Sequence, residues 1–226
     1  MCRRGKEIKS RMKKYLFFDL DGTLTDPMEG ICKSAARGLA HFGIEKDYRE
    51  LTYFIGPPLM DTYRDRFGMT QEQAKEAVRV FREYFVPTGI YENKLYPGIP
   101  EMLQSLKEQG KVLCVATSKP EPMAITVLEH FGIRKYFDYV CGSTMDETRT
   151  AKSEVLAYAM KTAGAYEKQE AVMIGDRCYD AAGAAKIGID CVGVSYGYGS
   201  HEELEKAGVI RVADSVAQLQ EILTQL

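Results

Sequence analysis

Five short apolar runs punctuate the sequence: Tyr15 to Phe18, Val112 to Ala116, Tyr139 to Cys141, Ala171 to Ile174 and Cys191 to Val194. Each is rich in β-forming residues, and none alternates with polar residues as a strand with one wet face would. Between most of them lie helical patterns, Pro100 to Gln109, Pro122 to Phe131 and Ser153 to Ala163, stopped by Gly110, Gly132 and Gly164. Strands that are apolar on both sides must be covered on both faces. The expected class is therefore α/β, a doubly wound, Rossmann-like parallel sheet. Crossovers in such a sheet are right-handed, and ligands gather beyond the carboxyl ends of its strands.

One connection breaks the pattern. From Pro27 to about Tyr96 the chain reads as helical, with segments near Met28 to Phe42, Leu59 to Phe67 and Thr70 to Phe85, broken by Gly43, Gly56-Pro57-Pro58 and Gly68. An insert of this length is no loop, so a small helical cap domain is expected, hinged near Asp26-Pro27 and Asn93 to Pro97. The boundaries are then 1–13 for a basic, poorly ordered extension, 14–26 with 94–226 for the Rossmann-like catalytic core, and 27–93 for the cap. Ser215 to Leu226 reads as a closing helix capped by Asp214 or Ser215.

A length of 226 residues with 45% hydrophobic content supports one large domain, or one ordinary domain carrying a smaller one. The formal charge of −2 recommends neither nucleic acid nor an anionic membrane as a partner. Arg3, Arg4, Lys6, Lys9, Arg11, Lys13 and Lys14 make the start basic, but no apolar stripe or aromatic residue accompanies them. No run approaches the ~20 apolar residues of a membrane span, and no secretory signal follows the basic start, so a cytoplasmic protein is expected. The six cysteines lack C-x-x-C spacing, which disfavours both a zinc site and a disulfide framework.

The chemistry-bearing residues fall where the strands end. Asp19 and Asp21 stand two residues apart as the first apolar run gives out, and i and i+2 of an extended chain point to the same side. Gly22 permits the turn that follows. The second run ends at Thr117-Ser118-Lys119, the fourth at Gly175-Asp176, and Asp180 lies one helical turn further on. Lys152 opens a helix on the same side. Clustered carboxylates repel, so a cation is needed to hold them, and hard oxygen ligands beside a phosphate favour Mg²⁺. A carboxylate can attack phosphorus, splitting one hard hydrolysis into two easier steps, while a lysine, a hydroxyl and backbone N–H groups stabilise the phosphoryl oxygens.

Asp19-Leu20-Asp21-Gly22-Thr23, Thr117, Lys152 and Gly175-Asp176 through Asp180 resemble the four ordered motifs of the haloacid dehalogenase superfamily of phosphatases, over residues 14 to 226. Asp26, Ile55-Gly56-Pro57-Pro58-Leu59, Thr117-Ser118-Lys119-Pro120 and Gly175-Asp176-Arg177 are similar to its phosphoglycolate-phosphatase branch, which carries a helical cap between the first and second motifs. The resemblance implies Asp19 as nucleophile and metal ligand. It implies Asp21 as acid and base, its backbone carbonyl also on Mg²⁺. Gly22, Thr117, Ser118 and Lys152 would bind the phosphoryl group, and Asp176 would bind the metal. Asp180 would ligate Mg²⁺ directly, hold a coordinated water, or order the loop. The partner implied is a small-molecule phosphate ester, acted on by a monomer or homodimer.

The Gly56-Pro57-Pro58 turn is a helix breaker that could also reach over the site and read the leaving group; Arg64, Tyr53 and Lys33 are further candidate cap contacts. His41, His130 and His201 are scattered on helical patterns, Cys178 has no visible base beside it, and the Tyr196-Gly197-Tyr198 loop has no assignable role. Two other functions use related residues. A mutase of the β-phosphoglucomutase kind would return the phosphoryl group to its substrate, and a signalling receiver domain would keep it on aspartate. Phosphoglycolate, a nucleoside monophosphate, pyrophosphate and a sugar phosphate all remain compatible substrates.

Overall fold

The computed structural model describes residues 12–146 and 148–226, so the expected basic extension lies outside the described residues up to Arg11. The chain enters through β1 (Tyr15–Phe18), whose Leu16, Phe17 and Phe18 are fully buried. After a tight turn it forms β2 (Thr25–Asp26), then α1 (Met28–Ala40), α2 (Leu59–Phe67) and α3 (Gln71–Phe85), and returns along β3 (Lys94–Leu95). Strands β2 and β3 pair antiparallel, Thr25 opposite Leu95, so both expected hinge segments lie side by side in one small ribbon. The remainder is α4 (Ile99–Glu108), β4 (Val112–Pro120), α5 (Glu121–His130), β5 (Tyr139–Ser143), α6 (Lys152–Ala163), β6 (Ala171–Gly175), α7 (Cys178–Ile187), β7 (Asp190–Val194), α8 (His201–Lys206), β8 (Arg211–Ala213) and α9 (Val216–Gln225).

Six parallel strands make the main sheet, in the order β5-β4-β1-β6-β7-β8. From β1 the chain leaves toward β4, and from its neighbour β6 toward β7, so these two strands bound the crevice where connections diverge and ligands bind. Register fixes what meets there. Phe18 pairs with Val115 on one side and Ile174 on the other, which sets Asp19, Thr117 and Asp176 at the same rim.

Strand alternation divides the core between the two faces. Phe17, Cys114, Ala116 and Met173 pack against Val155, Leu156 and Ala159 of α6 and Ala184 of α7. Leu16, Phe18, Val115 and Ile174 face the other way, in a cluster with Met102 and Leu106 of α4 and Leu219 of α9. That second cluster runs on without a break into Leu39, Phe54, Tyr63 and Phe81 of the segment between β2 and β3. Among the described residues, no helix is long and apolar enough to cross a membrane.

Local chemistry sets the ends of the helices. Thr70 and Gln73 form a reciprocal capping box at the start of α3, and the Ser215 hydroxyl, rather than Asp214, accepts the Gln218 N–H to cap α9. The sequence pattern gave no hint of β8. It is three residues long at the sheet edge and begins with an exposed arginine, too short and polar for an apolar run.

Where α1 passes the turn around Gly89, the backbones nearly touch. A Cβ built on Gly30 would lie 1.8 Å from the Gly89 carbonyl oxygen, and the Gly30 N–H donates to Glu92 O at 3.0 Å. The Gly30→Ala variant should therefore unfold in urea with a stability loss of roughly 1–3 kcal/mol, the usual scale of overpacking.

Candidate active site

At the tip of β1 the Asp19 N–H donates to Ile174 O at 2.8 Å, which ties the strand end to β6. Asp19 Oδ1 then accepts the Leu20 N–H at 2.8 Å, and its other oxygen lies 2.9 Å from Lys152 Nζ. Lys152 is the first residue of α6. The Glu154 carboxylate accepts the N–H groups of Thr150 and Ala151 and fixes the helix start at that point. The same ammonium reaches Asp180 Oδ1 at 2.8 Å and the Ala116 carbonyl at 3.4 Å. Asp180 sits in the first turn of α7, where its Oδ2 accepts the Arg177 N–H at 3.1 Å. Asp176, just past β6, accepts the Tyr198 N–H at 2.9 Å.

Asp19, Asp176 and Asp180 are all buried and offer oxygens within 4.8 Å of one another. Burial, reinforced by the charges of Asp180 and Asp19, holds the Asp176 carboxyl well above the usual carboxylate range. Asp180 is pushed up to about 6, chiefly by burial, although Lys152 pulls the other way. Burial alone would lower Lys152, but the two carboxylates outweigh it and keep the ammonium protonated. One ammonium thus pairs with two of three buried acids, and a hard divalent cation such as Mg²⁺ fits both the donor set and the remaining negative charge.

Asp21 has different surroundings from Asp19. Its Oδ2 accepts from Lys119 Nζ at 2.5 Å, and its Oδ1 is buried with no hydrogen-bond partner among the described residues. Lys119 in turn lies 5.1 Å from the ring centroid of Phe85 on α3. Gly22 makes the turn with φ +86°, and a Cβ there would fall 2.2 Å from Asp176 Oδ2. Thr117 is buried, its hydroxyl accepting the Lys119 N–H at 3.2 Å.

A cavity of about 120 Å³ opens beside these groups. Asp19, Asp21, Thr117, Ser118 and Lys119 form its polar end. Gly56, Pro57, Pro58 and Leu59 close it from above, while Ile31, Phe54, Phe81, Phe85 and Met123 give it an apolar wall and Arg82 a cationic edge. Gly56 and Pro57 therefore stand at the cavity. Arg64 does not: α2 turns Thr62 and Tyr63 inward, and the next position, about 100° further around the helix, is exposed. Arg82 of α3 is the guanidinium that lines the cavity instead. Tyr53 packs on Phe54 and Phe67, and Lys33 pairs with Glu29 and Glu92, so neither lines it.

Lys119 was not among the residues expected to act, yet its signal is in the sequence. It stands at i+2 from Thr117 in an extended strand, the same relation that links Asp19 and Asp21. Tyr198 reaches Asp176 through a backbone N–H, which no side-chain pattern announces. The three histidines are exposed, and burial raises the Cys178 thiol above its ordinary value, an environment that disfavours the reactive thiolate.

The family model for haloacid dehalogenase-like hydrolases matches residues 16–194. The chain is 42% identical over 209 residues to a 5'-nucleotidase of Pseudomonas aeruginosa, covering 92% of this chain and 94% of that one. It is 39% identical over 211 residues to the tyrosine-protein kinase PtkA of Mycobacterium tuberculosis, covering 92% of this chain and 72% of that one. A crystal structure of a predicted phosphatase from Clostridium acetobutylicum aligns with a TM-score of 0.92 at 42% identity, over 95% of this chain and 100% of that one.

Two outcomes are expected from the acid cluster. Because the fold favours neutral Asp180, the native state binds more protons than the unfolded chain, and metal-free stability falls as pH rises from the ordinary carboxylate range through about 6. In EDTA, the melting temperature of Asp180→Asn relative to the parent should thus be higher at pH 8 than at pH 5. Added Mg²⁺ should stabilise the parent and not the variant. Gly22→Ala should displace the Asp176 carboxylate and weaken Mg²⁺ binding by about tenfold or more, read by calorimetry.

Proposed function

The chain belongs to the haloacid dehalogenase-like hydrolases and is a phosphatase of that family, and on that premise we propose that it hydrolyses a small-molecule phosphate monoester through a phosphoaspartyl intermediate on Asp19, with Mg²⁺ as cofactor. The observation that carries this reading is the contrast between two acids on one strand tip. Both line the cavity, but Asp19 is held by Lys152 within the acid cluster, whereas Asp21 has one oxygen on Lys119 and the other without a hydrogen-bond partner among the described residues.

In the first half-reaction an Asp19 oxygen forms a bond to phosphorus while the bond to the leaving oxygen breaks, and that oxygen takes a proton from Asp21. In the second, Asp21 removes a proton from water as the water oxygen attacks phosphorus, releasing phosphate and restoring Asp19. Lys152, the Thr117 hydroxyl and the Ser118 N–H hold the phosphoryl oxygens. Mg²⁺ held by Asp19, Asp176, Asp180 and the Asp21 carbonyl would supply positive charge against those oxygens.

Residues 27–93 act in this reading as a cap over the core of 14–26 and 94–226, and bring Gly56 and Pro57 over the leaving group. The apolar wall of Ile31, Phe54, Phe81 and Phe85 favours a leaving group with a flat, uncharged body over one as small and anionic as glycolate. A nucleoside monophosphate suits it better than phosphoglycolate, in keeping with the resemblance to the Pseudomonas 5'-nucleotidase.

With Mg²⁺ the protein should release phosphate from nucleoside monophosphates faster than from phosphoglycolate, and Asp19→Asn should lose about 10⁴-fold or more of kcat/KM. Asp21→Asn should accumulate one phosphoryl group on the peptide containing Asp19, seen by mass spectrometry. Equal rates for Asp19→Asn and the parent would refute the reading. Transfer of the group to a protein tyrosine instead of water would move it toward the kinase-named relative.

A further inference from the structure

The Tyr196-Gly197-Tyr198 loop, without a role in the reaction above, lies between the acid cluster and the point where the helical segment joins the sheet. Its Tyr198 N–H holds Asp176 Oδ2 at 2.9 Å. The hydroxyl of the same residue donates to Asp26 Oδ1. That oxygen also accepts the Met28 N–H at 3.1 Å, at the first residue of α1. Tyr196 extends the brace: its hydroxyl donates to Thr23 O at 2.9 Å, and its ring meets Tyr96 edge-on at 5.0 Å, just beyond β3. One loop therefore grips one strand of the hinge ribbon, the residue that follows the other, and a proposed metal ligand.

The residue after Asp176 makes a second connection. Arg177 Nη1 donates to the Ile55 carbonyl at 3.1 Å, across from the core to the turn that roofs the cavity. Gly56 of that turn lies against the methylene stem of Arg177. The guanidinium is aimed by Glu203 of α8, whose Oε1 accepts Arg177 Nε at 3.0 Å and the Cys178 N–H at 2.9 Å. An arginine with two donors fixed in a plane can satisfy a carboxylate and a carbonyl at once, which a lysine ammonium does less well.

We propose that Arg177 and Tyr198 are positioning residues that seat the helical segment on the acid cluster, Tyr198 by fixing the hinge through Asp26 and Arg177 by fixing the Gly56–Pro58 turn through Ile55. Neither side chain lines the cavity. Their contribution is to the placement of groups that do: the turn above the leaving group and, through the Tyr198 N–H, the Asp176 oxygen below it.

The test uses the full chain, first without metal or substrate, by hydrogen exchange and mass spectrometry. Tyr198→Phe keeps the ring and the backbone N–H to Asp176, and should speed exchange in peptides spanning 24–31 while leaving 54–59 unchanged. Arg177→Gln should do the reverse, and Arg177→Lys should recover part of the protection. If Arg177→Gln does not fold, Glu203→Ala, which removes the anchor of the guanidinium, takes its place with the same expected change. Parental exchange in both segments of folded variants would overturn the proposal. The kinetic arm rests on the phosphatase reading: Arg177→Gln should raise KM by about tenfold with kcat within about threefold, the scale of one lost hydrogen bond to a charged group, and Arg177→Lys should restore KM. Faster exchange with an unaltered KM would overturn the positioning role. Absence of turnover in the parent would defeat the phosphatase reading and leave the exchange result to decide this one.

Discussion

The like-charge repulsion among three buried carboxylates governs the rim of the sheet. Asp19 comes from one stretch of chain and Asp176 and Asp180 from another; their oxygens meet within a few ångströms, with Lys152 from a third stretch as the ammonium among them. Such a cluster is costly to assemble without a cation. Each acid is accordingly held by backbone N–H donors: Leu20 for Asp19, Tyr198 for Asp176 and Arg177 for Asp180. Those donors belong to the fold itself, so the backbone holds the three carboxylates together where burial favours their taking up protons or a cation.

The same rim shows how one strand can give two acids different partners. Asp19 and Asp21 both line the cavity, yet Asp19 pairs with Lys152 in the acid cluster while Asp21 pairs with Lys119. Lys119 comes from the extended end of β4, which runs on to Pro120, beyond the apolar run that marks its start. That extension carries Thr117 and Lys119 to the level of the acids. It also brings the lysine near Phe85, so a residue of the central sheet meets the helical segment at the cavity.

That segment is not a loosely attached ornament. Its apolar residues continue the cluster that lies on one face of the sheet, and Gly30 lets α1 touch the turn at Gly89, next to where the chain returns to the core. Polar contacts at the hinge ribbon and at the roof turn run back to residues 176 and 177. The seating of the helices and the geometry of the acid cluster thus share two residues, Arg177 and Tyr198, which is a physical basis for coupling the helical segment to the acids below.

The sequence by itself determined the class of fold and the identity of the acids. Apolar runs without polar alternation require a doubly covered parallel sheet, and acids placed where those runs stop must stand at its carboxyl rim, because strand ends of a parallel sheet share one edge. The edge strand β8 escaped because three residues with a polar start carry no such pattern. Tertiary structure alone decided which arginine of the helical segment faces the cavity. Arg64 and Arg82 both lie on amphipathic helices, and only the rotation of each helix against its neighbours exposes the first and turns the second inward. It also decided the partners of Asp176 and Asp26, since a backbone N–H and a hydroxyl of Tyr198 act through position, and position across 22 or 172 residues of chain is set by packing.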